Sequence, residues 1–535
     1  MTRRGCRRSA ALAVGLAMLA GSAVLREAGG QTGRPWRPEE RVLLSAFHEL
    51  GAVATDMRRV YAASPLGLEV YDFVAGRWEL PITAEDGYPV GEQPTALAYD
   101  RVEDALWLVT SLGSLYRFEP HFGRWEHRGL VPLGRVERIV PAMDGAVYLW
   151  GPGGWLRLRR GSSVLEPVRR GEAPAASGGE DSFAAGGAWG ADPFLRALRG
   201  TLALDARLRR WPITAVAPAE PPGRYWVATR GGNLVAVDTR RMVTEWLPFG
   251  LLTRGVGTIA ADGEELWFGG DGRGPRRGVT RADHSLQRWG HFEAQDGAPA
   301  GYVADVLPAT GAVWFAASDG LYRHDRRSGR WRRLGESDGL PTAEATALAL
   351  APTGLWVGTR RGVVALDDAG EVAEGPLLTG QTVYRLVASR DSLWIATDVG
   401  LWVLPAGAQA PVPAPGVENH PALRGPVIDV RPAFGSLFAL TERGLYRFDG
   451  QSWRGPIAEA GQAGLGRLRA LAAGDGQLWV GGDRGLARWD TETQLWTYYW
   501  VPADIPEGPV RRVLPAGEHV WLSTPAGALR LAWRR

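Results

Sequence analysis

One short phrase recurs along this chain: an apolar residue, Trp, an apolar residue, two small residues, two variable ones, then Gly and another apolar residue. It reads LWVGTRRGV around Trp356, LWIATDVGL around Trp394, LWVGGDRGL around Trp479, VWFAASDGL around Trp314, YWVATRGGN around Trp226 and LWLVTSLGS around Trp107. With the aromatic as a ruler the chain divides into twelve units, at Tyr61, Trp107, Tyr148, Trp189, Trp226, Trp267, Trp314, Trp356, Trp394, Phe438, Trp479 and Trp521, separated by 37 to 47 residues. A period of about 40 residues, built from short apolar runs and Gly turns, is the length of a four-stranded propeller blade. The expected fold is all-β, with about twelve four-stranded blades.

A second aromatic register, Trp36, Trp78, Trp125, Trp246, Trp289, Trp331, Trp453 and Trp496, precedes the next ruler position by 21 to 29 residues and marks an outermost strand. Each unit then reads as outer strand, long loop, inner strand, tight turn, Trp strand, Gly turn and third strand. The inner strands are small and apolar, as in TALALA before Trp356 and ALAAG before Trp479, which suits a crowded central channel. Gly or Asp before the Trp strand supplies the hairpin turn. The Trp189 unit, AAGGAWGADPF, lacks the Gly continuation and reads as a degenerate blade or an inserted loop.

Twelve blades exceed the four to eight of an ordinary ring, so the chain reads as two propellers of about six blades, residues 34–285 and 286–535, with five plus seven as the other division the spacing allows. The sequence opens with an outer strand near Trp36 and stops after the third strand GALRLAW, so the first outer strand is expected to complete the last blade and leave no sheet edge open. The repeated Trp residues are expected in the core between blades, where a large apolar side chain contributes most.

The formal net charge is +3, and Arg3, Arg4, Arg7 and Arg8 supply more than all of it. The remaining charge is balanced and interspersed, which argues against a nucleic-acid partner. Residues 1–25 have a basic start, an apolar run from Ser9 to Leu25 and small residues at Gly21-Ser22-Ala23, the layout of a signal peptide. An uncleaved anchor is the other reading of that run. The expected location is extracytoplasmic, periplasmic or secreted. Cys6 is the single cysteine and precedes the apolar run, so no disulfide and no cysteine-ligated metal is expected in the mature chain.

Catalytic and metal motifs are sparse. The histidines, His48, His121, His127, His284, His291, His324, His420 and His519, have no ligand-like pair spacing, and no cofactor or metal is expected. His284 and His291 flank the outer strand of Trp289 and read as solvated surface. GDGRGPRRG from Gly270 lacks the strand-to-helix context of a phosphate cradle, and the nucleophile elbow G-x-S-x-G is absent. What remains is a set of polar residues in equivalent Gly turns, Arg230, Asp271, Asp319, Arg360, Asp398, Arg443 and Asp483, joined by neighbours Arg361, Glu442 and Arg484. Asp86, Asp296 and Asp338 lie in the long loops at the same end of the blades. Together they are the candidate ligand-binding residues, although Asp and Gly are also simply good turn formers.

The phrase LW[VI][GA]T-x-x-G-[LV], with DGLPTAEATAL at Asp338 and its variants DGYPVGEQPTAL at Asp86 and DGAPAGYVADV at Asp296, resembles the two-component regulator propeller repeat. That family occurs in extracytoplasmic sensor regions of bacterial hybrid histidine kinases. The resemblance implies a sensor-like propeller; a kinase signature, a second apolar span and a DNA-binding helix pair are missing from this sequence, so the signalling output is expected on another chain. The leading functional reading is a non-catalytic exported binding protein that recognises a glycan, a peptide or a protein partner, such as a membrane sensor or envelope protein, at the propeller faces or the cleft between rings. A propeller glycoside hydrolase or lyase, needing two carboxylates across a cleft, and an envelope scaffold are the alternatives.

Overall fold

The computed structural model describes residues 36–169, 172, 192–367, 369–389, 392–458 and 464–534. The expected signal peptide and Trp189 itself lie outside the described residues, and the end of the Trp189 unit, Asp192 to Phe194, opens a helix. Eleven four-stranded antiparallel sheets account for nearly all of the regular structure, confirming the all-β blade architecture. One α-helix of more than a single turn, α1 (Pro193–Leu202), is present among the described residues. Among those residues no helix is long and apolar enough to cross a membrane.

One blade shows how the repeat folds. Ala345–Ala351, Gly354–Thr359, Gly362–Leu366 and Val372–Leu377 pair in chain order. Trp356 sits opposite Ala349 on the inner strand, and its ring is buried among Val363 of its own sheet and Val383, Leu386 and Ile395 of the next. A small inner residue makes room for the indole, and the indole closes the seam between blades. Trp267, Trp479, Trp521, Trp107, Trp226 and Trp314 are likewise buried, while Trp394 is half-buried. Seven of the eight residues of the second aromatic register, Trp78, Trp125, Trp246, Trp289, Trp331, Trp453 and Trp496, lie in the fourth strand of a sheet, whereas Trp36 falls short of the strand expected around it, which begins at Arg41.

The N-terminal strand Arg41–Leu44 pairs antiparallel with Gly527–Ala532, Leu43 opposite Leu529, and completes the sheet of the last unit. The C-terminal edge is thereby covered. Inner strands then pack in two successions. Ala52–Thr55 lies beside Pro94–Asp100, which lies beside Arg138–Pro141, while Ile213–Ala219 returns to Ala52–Thr55. From Val256–Asp262 onward seven inner strands pack in chain order, and the last, Arg512–Ala516, returns to Val256–Asp262. Ser285, where the sequence divides evenly, lies in the turn between Gly278–Asp283 and Trp289–Glu293, paired strands of one sheet.

The chain therefore passes from the seven-sheet succession to the four-sheet group through residues 45–51 and back through 248–255. These passages are tied together: Leu251 N–H donates to Ser45 O at 2.9 Å, and Phe47 stacks on Phe249 with centroids 5.9 Å apart. Phe249 also meets Trp78 from one group and Trp289 from the other, and Gln287 bonds the Trp78 main chain twice, at 2.8 and 3.0 Å.

Candidate functional site

The two passages frame a cleft. Its cavity, about 350 Å³, is lined by His48 and Glu49 from the first passage, Leu252 and Arg254 from the second, the turn Asp271–Arg276, Leu66, Glu507 and Pro525. That volume lies at the lower end of small-ligand sites. The sequence GDGRGPRRG, which has no phosphate-cradle context, thus forms one wall, as the Gly-rich turn between Glu265–Gly270 and Gly278–Asp283.

Most charges around the cleft are already paired. Arg254 reaches Glu507 at 3.2 Å, and Arg511 lies 4.0 Å from Asp271. Arg276 is buried and bonds Glu293 as well as the carbonyls of Gly231 and Gly232. Glu293 also takes Arg209 and Arg207 from the segment after α1. Burial alone would raise its carboxyl, but the hydrogen bonds and charge of Arg209 and Arg276 hold it down at about 2. His48 is buried, and desolvation together with Arg276 lowers it to about 3, so its ring is neutral. Its Nε2 lies 3.2 Å from the Leu252 carbonyl, which accepts only, so Nε2 carries the proton and pins the two passages together. Two side chains of the cleft, the Arg273 guanidinium and the Glu49 carboxylate, have no hydrogen-bond or ion-pair partner among the described residues.

His291 is a correction to its expected place on the solvated surface. Burial and Arg276 lower it to about 4, and its Nε2 lies 2.9 Å from the Gly250 carbonyl of the second passage. An outer strand is solvated in an isolated ring but becomes an interface strand where another group of blades packs on it.

The expected site residues do not converge on one point. Asp271 lines the cleft, and Arg230 pairs through its backbone with Glu49 at the rim. Asp319 accepts from Ala300 N–H at 3.1 Å and the Tyr322 hydroxyl at 2.9 Å, Asp398 accepts from Thr382 N–H at 3.0 Å, Arg360 pairs with Glu344 at 2.6 Å and Asp483 with Arg469 at 2.9 Å. Arg443 N–H bonds Thr441 Oγ1 at 3.3 Å. Each of these ties its turn to its own blade. Asp86, Asp296 and Asp338 each accept from the main chain three residues upstream, at Thr83, Glu293 and Gly335, within a single 3-10 turn. The turn closes on a left-handed glycine, φ +92° at Gly297 and +94° at Gly339, which explains the recurring Asp-Gly.

Sequence reasoning passed over a different set of charges. In the seven-sheet succession the residue nine positions before each ruler aromatic is Thr258, Asp305, Ala347, Arg385, Asp429, Ala470 or Arg512. Each stands on an inner strand, and the charged members meet across the channel: Arg385 bonds Asp305 at 3.0 Å and Asp429 at 3.2 Å, and Arg512 bonds Asp305 at 3.2 Å. Charge at that offset, in otherwise apolar strands, was the available signal. Among the described residues no group of three His, Cys, Asp or Glu side chains is arranged to hold a metal ion.

No family model matches the sequence, and no curated protein matches it. Solved structures do. The extracellular domain of a putative hybrid two component system from B. thetaiotaomicron aligns over 94% of this chain and 77% of its own, at 14% identity and a TM-score of 0.42. That of a putative one component system from the same organism aligns over 91% and 70%, at 16% identity and a TM-score of 0.36. A streptogramin B lyase aligns over 54% of this chain and 96% of its own, at 15% identity and a TM-score of 0.42.

Proposed function

We propose that this chain is an exported, non-catalytic binding protein of sensor type, whose ligand occupies the cleft between two propellers. The proposed division follows the inner-strand packing. Residues 52–247 form the smaller unit, with the segment around α1 as its irregular fifth member, and residues 256–532 with the strand Arg41–Leu44 form a unit of seven. This is the five-plus-seven alternative, with the passage near residue 250 in place of Ser285.

The observation that carries the reading is the pair of opposite charges in the cleft that have no partner among the described residues. The Arg273 and Glu49 side chains have no protein partner among them, nor has the Arg230 side chain at the rim, and opposite charges on two walls suit a ligand carrying both donors and acceptors, a glycan or a peptide segment. The sensor-type role draws on the resemblance of the repeat, and the signalling partner would be a separate membrane or envelope protein.

Glycan and peptide arrays probed with the protein test the reading, alongside the variants Arg273→Glu and Glu49→Gln. Binding by the native protein that both variants lose supports the cleft. A ligand held equally by all three places recognition elsewhere, and polysaccharide turnover by the native protein overturns the non-catalytic assignment.

A further inference from the structure

The channel of the seven-sheet succession carries three guanidiniums against two carboxylates. Both oxygens of each carboxylate accept hydrogen bonds. Asp305 accepts from Arg385, Arg512 and the main-chain N–H groups of Val306 and Leu348, and Asp429 accepts from Arg385 and the N–H groups of Val430 and Leu471, with Arg431 3.5 Å away. The guanidiniums are not fully used. Arg385 uses Nε and Nη1, Arg512 uses Nε on Thr258 and Nη2 on Asp305 and the Ala304 carbonyl, and Arg431 uses only Nε, on the Leu471 carbonyl at 3.3 Å. The terminal nitrogens left over, one on Arg385, one on Arg512 and both on Arg431, have no partner among the described residues, and none is fully buried. Exposure of the side chains rises from 6% at Arg385 through 15% at Arg512 to 30% at Arg431.

Arg431 is the exception in its layer. It stands opposite Phe438, where the other six sheets place Ala, Val or Leu opposite Trp. Burial and the charge of Arg385 lower its guanidinium to about 10, the direction expected of a cation short of a counter-charge. An excess positive charge in the channel calls for an anion, and unused planar N–H forks select an oxyanion over a spherical ion.

We propose that this channel binds a small oxyanion, a phosphate or carboxylate group, held by the free nitrogens of Arg431 with Arg385 and Arg512 behind them. The site is separate from the cleft and does not depend on its ligand.

Calorimetric titration with inorganic phosphate at fixed ionic strength, with chloride as the control ion, tests it in the full chain. The expected result is saturable one-to-one phosphate binding that Arg431→Gln weakens by about tenfold or more, the loss of charge-assisted hydrogen bonds. Arg431→Lys, which keeps the charge and loses the fork, should weaken binding less and covers the case in which Arg431→Gln fails to fold. Absence of phosphate binding, equal binding by the variants, or chloride competing as well as phosphate would overturn the proposal.

Discussion

Arg209 places both terminal nitrogens on the carboxylate of Glu293, Nη1 to Oε2 at 2.6 Å and Nη2 to Oε1 at 2.7 Å, 84 positions apart in the chain. Arg276 approaches Oε1 from a third direction at 2.8 Å. The group joins the segment after α1 to the sheet 256–293, and its carboxylate is almost wholly enclosed. Removing one member of such a cluster leaves the others charged without compensation. Glu293→Gln should lower stability by about 3–5 kcal/mol in urea unfolding. A loss within the scatter of surface substitutions would mean that the cluster is solvated and weak.

The same neighbourhood sets an acid response. His48 and His291 fall from 6.5 to about 3 and about 4, and Glu293 from 4.5 to about 2. All three are depressed in the folded chain, so the unfolded chain binds protons first as pH falls. Stability should be flat above the ordinary histidine range, then drop from about pH 6.5 through the histidine window and further between about 4.5 and 2 as Glu293 is protonated. Melting temperatures across that range check the direction; Glu293→Gln should retain the histidine part and shrink the lower one, which Asp490 and other depressed carboxylates share.

Trp356 is 2% exposed and sits at a seam between two sheets. Trp356→Ala should cost about 3–5 kcal/mol, because adjoining strands cannot close on a cavity of that size. An unchanged melting temperature would place this indole outside the core.

Leu43 lies opposite Leu529 in the closing strand. In the same strand Leu44, fully buried and opposite Ala528, is in a hydrogen-bonded position, and Leu44→Pro removes a ladder N–H and a buried side chain together, with an expected loss of about 3 kcal/mol. It should also promote concentration-dependent association through the uncovered Gly527–Ala532 edge, measurable by light scattering. A monodisperse variant of native stability would show that closure does not rest on this strand.

Asp305 accepts from Arg385 and Arg512, on inner strands to either side of it around the channel. Asp305→Asn keeps the shape and removes the charge. A destabilisation of about 3 kcal/mol or more is expected, since Arg385, Arg431 and Arg512 are then left with one carboxylate, Asp429. If thermal unfolding moves by a degree or less, water is screening the channel.

The blades were legible because each one repeats a local pattern: a Trp that needs burial, a small residue opposite it, and a Gly turn of fixed length. Strand content, the blade repeat and the covering of the last sheet by Arg41–Leu44 follow from such local spacing, with eleven sheets among the described residues against twelve expected units, and the turn chemistry of Asp296 and Asp338 is local too. Spacing carries no information on where one closed succession stops and the next begins, because every unit presents the same faces to its neighbours. The proposed division rests on contacts distant in sequence: Arg512–Ala516 against Val256–Asp262, Phe47 on Phe249, Arg209 on Glu293. The same holds for the charges. Asp305, Arg385, Asp429 and Arg512 recur at one offset in the sequence, but only the curvature of the ring brings them within hydrogen-bonding distance and turns four separate strand residues into one buried network.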